Sequence, residues 1–191
     1  GNTNDEVLEW IKAQLLVFGK DPSKMIMDIH YDIPSHETDE GVPYSLAHPA
    51  LFEEMAKYRA NSDLVLSHFA KVYKTASAVR TWPHHFDHGA YIPMAFDKEG
   101  NAIKSLSIGL GIPDSASDEP YYYITTWSAA GDNSYDNMPA IPSGEWLTTP
   151  FNGAVLRASD IVKQDSAQQQ AELVYNFLDK GIEYSKALLG N

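Results

Sequence analysis

The sequence predicts an α+β domain, a mostly antiparallel sheet covered by about three helices. Apolar residues recur at three- and four-residue spacing towards both ends of the chain. From Ala78 the period changes to two and stays there through Trp127. Between two of the strands so defined, Asp97-Lys98-Glu99-Gly100-Asn101 has the composition of a hairpin turn. A length of 191 residues fits one domain, residues 1–191, with room for a substantial core.

The elements follow in order. Val7, Ile11 and Leu15 define the first helix, with Asn4 or Asp5 as its cap and Gly19 and Pro22 as its stop. Met25–Ile33 reads as a strand in which Asp28, His30 and Asp32 share one face. The segment from Pro34 to Pro49 is turn-rich. A helix then spans 49–76, and its stripe of Leu51, Met55, Phe69 and Val72 is expected to pack on the sheet. Strands are expected at Val79–Trp82, Phe86–Phe96, Ile103–Leu110 and Tyr121–Trp127. Residues 128–144 form a long loop, and a last helix from about Gln164 to Leu189 carries Val174, Phe177, Leu178, Ile182 and Leu189 on one side.

Composition narrows the function classes. Twenty-six acidic against fourteen basic residues give a formal charge of −12, and no basic patch relieves it, so nucleic acid and anionic membrane surfaces are not expected partners. A small-molecule ligand or substrate is. The chain has no cysteine, which removes disulfides, thiolate metal sites and cysteine nucleophiles. No apolar run approaches the ~20 residues that span a bilayer. The expected location is therefore cytoplasmic, with an upstream leader left open because the first residue is Gly1 rather than Met.

The richest segment is Trp82-Pro83-His84-His85-Phe86-Asp87-His88, with three of the seven histidines. Imidazole titrates near neutral pH and is the commonest metal ligand. Gly89 and Pro93 argue for an extended segment rather than a helix. Alternation then puts His84, Phe86 and His88 on one face and His85 and Asp87 on the other, with same-face residues ~6.6 Å apart. His84, His85 and Asp87 become candidate catalytic groups. His85, Asp87 and His30 would make a two-histidine, one-carboxylate set if their strands were neighbours, suited to zinc, manganese or iron. A His-Asp pair on a strand is also explained as a satisfied structural hydrogen bond, the competing reading. Ile108-Gly109-Leu110-Gly111-Ile112-Pro113 lacks the third glycine and the following helix of a dinucleotide fingerprint, and no nucleophile-elbow, zincin or P-loop pattern occurs.

The stretch Val79-Arg80-Thr81-Trp82-Pro83-His84-His85-Phe86-Asp87 resembles the W-P-H-H-F-D signature of an uncharacterised bacterial domain family. Ser107–Pro113, Glu119–Tyr123 and Gly153–Leu156 are similar to it as well, so the resemblance covers about residues 78–160. It implies a common fold and no reaction. Two functions compete. One is a hydrolase or metal-dependent enzyme acting on a small polar molecule through His84, His85 and Asp87, with loop 128–144 as a lid. The other is a non-catalytic module holding a small ligand among Trp82, Trp127, Trp146 and the Tyr121-Tyr122-Tyr123 run, with Tyr122 as its contact and structural histidines. The cavity is expected to be lined by Trp82 and by Trp127 or Trp146.

Overall fold

Period-two alternation becomes, in the computed structural model, a six-stranded sheet. The structure describes residues 1–28, 33, 35–131 and 133–190. The strands are β1 (Arg80–Thr81), β2 (His88–Phe96), β3 (Ala102–Gly111), β4 (Tyr121–Ser128), β5 (Glu145–Leu147) and β6 (Gly153–Arg157), and the helices are α1 (Asn4–Val17), α2 (Pro49–Ala70), α3 (Ala158–Val162) and α4 (Ala167–Leu188). Strand order is β1-β2-β3-β4-β6-β5, and every pairing is antiparallel. The α+β class stands.

The chain divides into two compact units, Gly1–Ala56 and Lys57–Asn191. In the first, α1 starts at a capping box. The Thr3 hydroxyl accepts from the Glu6 amide, and the Glu6 carboxylate accepts from the Thr3 amide at 2.9 Å. Thr3 thus takes the role expected of Asn4 or Asp5. Asn4 instead donates to the Thr38 carbonyl at 3.0 Å and accepts from the Tyr44 hydroxyl. Of the expected strand Met25–Ile33, residues 25–28 and 33 have no strand structure, and 29–32 lie outside the described residues.

In the second unit, alternation gives the sheet two faces. Ile92, Leu106, Ile108, Ile124 and Leu156 are fully buried or nearly so on one face. Val174, Phe177, Leu178 and Ile182 of α4, with Val65, Leu66 and Ala70 of α2, complete that core. Each large side chain removed from water contributes ~1.5–3 kcal/mol. The α4 face is the one that its spacing predicts, and its cap is Ser166. The α2 stripe needs correction. The helix ends at Ala70, so Val72 lies beyond it and is exposed, as is Leu51. The buried positions are Ser62, Val65, Leu66 and Ala70, and Phe69 is partly buried against the core.

The opposite face of the sheet bears Tyr121, Tyr123, Thr125 and Trp127 on β4. Their register partners on β3 are Gly111, Gly109, Ser107 and Ser105. Two strands not expected from periodicity, β5 and β6, extend the sheet beyond β4.

Candidate functional site

The histidine-rich segment is the tip of the β1–β2 hairpin. Thr81 pairs with His88, the Trp82 amide donates to the Asp87 carbonyl at 2.8 Å, and the Trp82 indole N–H donates to the Gly89 carbonyl at 3.1 Å. Pro83, His84 and His85 turn the chain, and Phe86 closes the turn with φ 56°, a left-handed conformation uncommon for a bulky residue. Arg59 of α2 holds it there: one guanidinium nitrogen donates to the Phe86 carbonyl at 3.1 Å, and the Cζ atom lies 4.9 Å from the Phe86 ring centre. The extended reading of 84–88 is thereby corrected. A left-handed residue breaks the alternation, so His85 is exposed while Asp87 is buried.

The Asp87 carboxylate takes its hydrogen bond from a phenol rather than from an imidazole of its own segment. The Tyr123 hydroxyl donates to Asp87 Oδ2. To get there the Tyr123 ring crosses β3 and β2 over glycines. A Cβ at Gly109 would sit 2.5 Å from the ring, and one at Gly89 would sit 2.9 Å from the hydroxyl. Tyr121 repeats the arrangement: its ring crosses Gly111, where a Cβ would come within 2.6 Å, and its hydroxyl donates to Asp114 Oδ2 at 2.9 Å. Burial raises the pKa of both phenols. Asp87 adds its negative charge and hydrogen bond at Tyr123, and Asp114 does the same at Tyr121. Both therefore remain protonated donors. Asp87 is only 9% exposed, and its Oδ1 has no hydrogen-bond partner among the described residues.

Two cavities, of about 260 and 350 Å³, adjoin this pair. His84, Asp87, Ser107 and Tyr123 line both, so they are lobes of one concavity on the sheet face away from α4. Trp82 belongs to the smaller lobe. His85, Asp114, Tyr121 and Phe151 belong to the larger. Phe151 lies edge-on to both tyrosines, its ring centre 6.3 Å from that of Tyr121 and 6.0 Å from that of Tyr123.

Of the residues singled out from sequence, Trp82, His84, His85 and Asp87 meet here. Trp127, Trp146 and Tyr122 do not. Trp127 is half exposed opposite Ser105, towards the far end of β4, and Trp146 stacks on Tyr135 at 5.1 Å and donates to the Pro139 carbonyl. Tyr122 is one residue out of phase with its neighbours and belongs to the core, where burial pushes its phenol up to about 12. His30 lies outside the described residues, so the His30, His85 and Asp87 set has no geometry to compare. Among the described residues no three His, Asp or Glu side chains converge as a metal-holding group. His88 turns to the core side of the hairpin, with Nδ1 3.3 Å from the Thr81 hydroxyl and Nε2 3.5 Å from Asp63.

Of the Tyr121-Tyr122-Tyr123 run, Tyr121 and Tyr123 do line the concavity, and what the sequence reading passes over is the role of Gly109 and Gly111 beneath them. Their signal is a pair of G-x-G and Y-x-Y patterns, which antiparallel pairing brings opposite each other. Set against protein-family models, curated proteins and solved structures, the chain gives no match.

Proposed function

We propose that the second unit binds a small polar molecule on the sheet face away from α4, with Asp87 as the acceptor that anchors it. The observation that carries this is the Asp87 carboxylate, buried beside the concavity with one oxygen bonded by Tyr123 and the other unpartnered among the described residues. An unpaired buried polar atom costs ~1–3 kcal/mol, and more when charged. A fold that needed only structure would do better with an apolar side chain there. A concavity with aromatic walls and a few polar groups is the usual form of a small-ligand site. Catalysis is the second reading, because the His84 imidazole shares both lobes with Asp87 and the two together could move a proton in a hydrolytic reaction.

The test is a thermal-shift and NMR screen of the chain against amines, amino acids, polyols, sugars and organic acids. At least one compound should bind, shift the His84 and His85 ring resonances, and lose affinity with Asp87→Asn. A screen in which no compound binds in an Asp87-dependent way would overturn the binding reading. A bound compound that is turned over, with turnover abolished by His84→Gln, would replace the binding reading with the catalytic one.

A further inference from the structure

The lining of the larger lobe points to the kind of molecule it takes. Two of its side chains, Asp87 and Asp114, are carboxylates, and none is Lys or Arg. The phenols that could serve a ligand as donors are already committed, Tyr123 to Asp87 and Tyr121 to Asp114. Asp114 Oδ1 accepts from the Ala116 amide at 2.8 Å, which fixes that carboxylate at the rim, while Asp87 Oδ1 is left without a partner among the described residues. The Thr125 hydroxyl donates to the Asn152 carbonyl at 2.7 Å, so it too turns its proton away. The His84 and His85 imidazoles and the Ser107 and Ser115 hydroxyls also line the lobe, so donors are present, but the two carboxylates face no Lys or Arg within it. Its remaining wall is aromatic: Tyr121, Tyr123 and Phe151 lie with ring centres 6.0–6.4 Å apart at tilts of 55–72°.

We infer that the larger lobe binds the head of a cationic small molecule, an ammonium or guanidinium group placed between the Asp87 and Asp114 carboxylates and the Tyr121, Tyr123 and Phe151 rings. This rests on the binding reading above and narrows it. Negative ring faces attract a desolvated cation, and carboxylates accept the N–H groups of a guanidinium or primary ammonium and attract a quaternary one by charge alone. Anions are repelled by both carboxylates at short range. A neutral polyol gains nothing from the two negative charges beyond ordinary hydrogen bonds. The formal charge of −12 acts in the same direction by drawing cations to the surface.

The experiment is calorimetric titration of the chain with choline, agmatine, the neutral choline isostere 3,3-dimethylbutan-1-ol, and sorbitol. Choline or agmatine should bind saturably, with the neutral isostere at least ~10-fold weaker and with affinity falling as salt rises. Asp114→Asn, at an exposed position and with an oxygen left to accept from the Tyr121 hydroxyl or the Ala116 amide, should weaken cation binding at least ~3-fold while the protein stays folded, because one of two charges is gone. Equal binding of choline and its isostere overturns the inference. So does the absence of any cation binding. If the wider screen still yields an Asp87-dependent neutral ligand, only the cationic class is lost and the site stands. If it yields none, both fail.

Discussion

The Tyr123 ring lies across Gly109, its register partner on the neighbouring strand, and reaches over it to Asp87. Glycine is required for the close approach, not for a backbone angle. A methyl group at position 109 would stand 2.5 Å from the ring carbons and hydroxyl. The ring can make room only by leaving Asp87. Gly109→Ala should therefore lower stability by ~1–3 kcal/mol, the usual cost of overpacking. It should also abolish ligand binding that depends on Asp87. Urea unfolding and titration of the same variant check both, and an unchanged midpoint would show that Tyr123 is not held in this way.

Tyr123→Phe removes the hydroxyl and keeps the ring. The Asp87 carboxylate then loses the donor that its Oδ2 accepts from, and hydrogen bonds to charged groups are worth ~1.5–3 kcal/mol. The variant should unfold at correspondingly lower urea. In the background of Asp87→Asn the same change should cost clearly less, since the charged partner is already gone. Additive costs in that double-mutant cycle would mean that the two groups do not interact.

The tyrosines make the fold sensitive to alkali. Burial raises the Tyr122 phenol from its ordinary 10.0 to about 12, with Tyr58 and Tyr175 adding to the effect. Tyr121 and Tyr123 shift in the same direction. Above pH ~10 the unfolded chain releases protons that the folded chain keeps, so unfolding is favoured. Stability should be at its full value below pH ~10 and fall progressively as the pH rises towards ~12. Tyrosinate absorbance should then appear together with loss of near-UV circular dichroism. Free titration of all tyrosines near pH ~10 with the fold intact would contradict this.

Phe86 sits at φ 56° under the Arg59 guanidinium. The left-handed conformation costs a bulky residue ~1–2 kcal/mol, and the cation–π contact returns ~0.5–1 kcal/mol. Phe86→Gly in the native background should be close to neutral. In the Arg59→Ala background, where the ring has lost its contact, the same change should stabilise by ~1 kcal/mol. Differential scanning calorimetry on the four proteins reads this directly.

Local pattern was enough to make the class legible. The α4 face of Val174, Phe177, Leu178 and Ile182 is visible in the sequence because helical spacing and burial coincide there. The β3 and β4 strands are visible for the same reason with a period of two. Trp82, His84, His85 and Asp87 stand out in the sequence by their chemistry, and the structure gathers them around one concavity.

Tertiary structure decided the rest. The turn at Pro83–His85 ends in a left-handed Phe86 that Arg59 contacts from 27 residues away in sequence, so local pattern reads as extended a segment that the structure turns. Asp87 finds its partner 36 positions along the chain. Gly109 within the expected strand and Gly111 just past its end carry no signal of their own until β4 is laid beside them, and then they are the floor on which two tyrosines rest. Tyr122 and Tyr123 are adjacent in sequence, but strand pleating sends one to the core and the other to the cavity. Periodicity encodes which face a residue occupies. What lies on that face beside it is set by register between distant strands, and no local pattern carries that register.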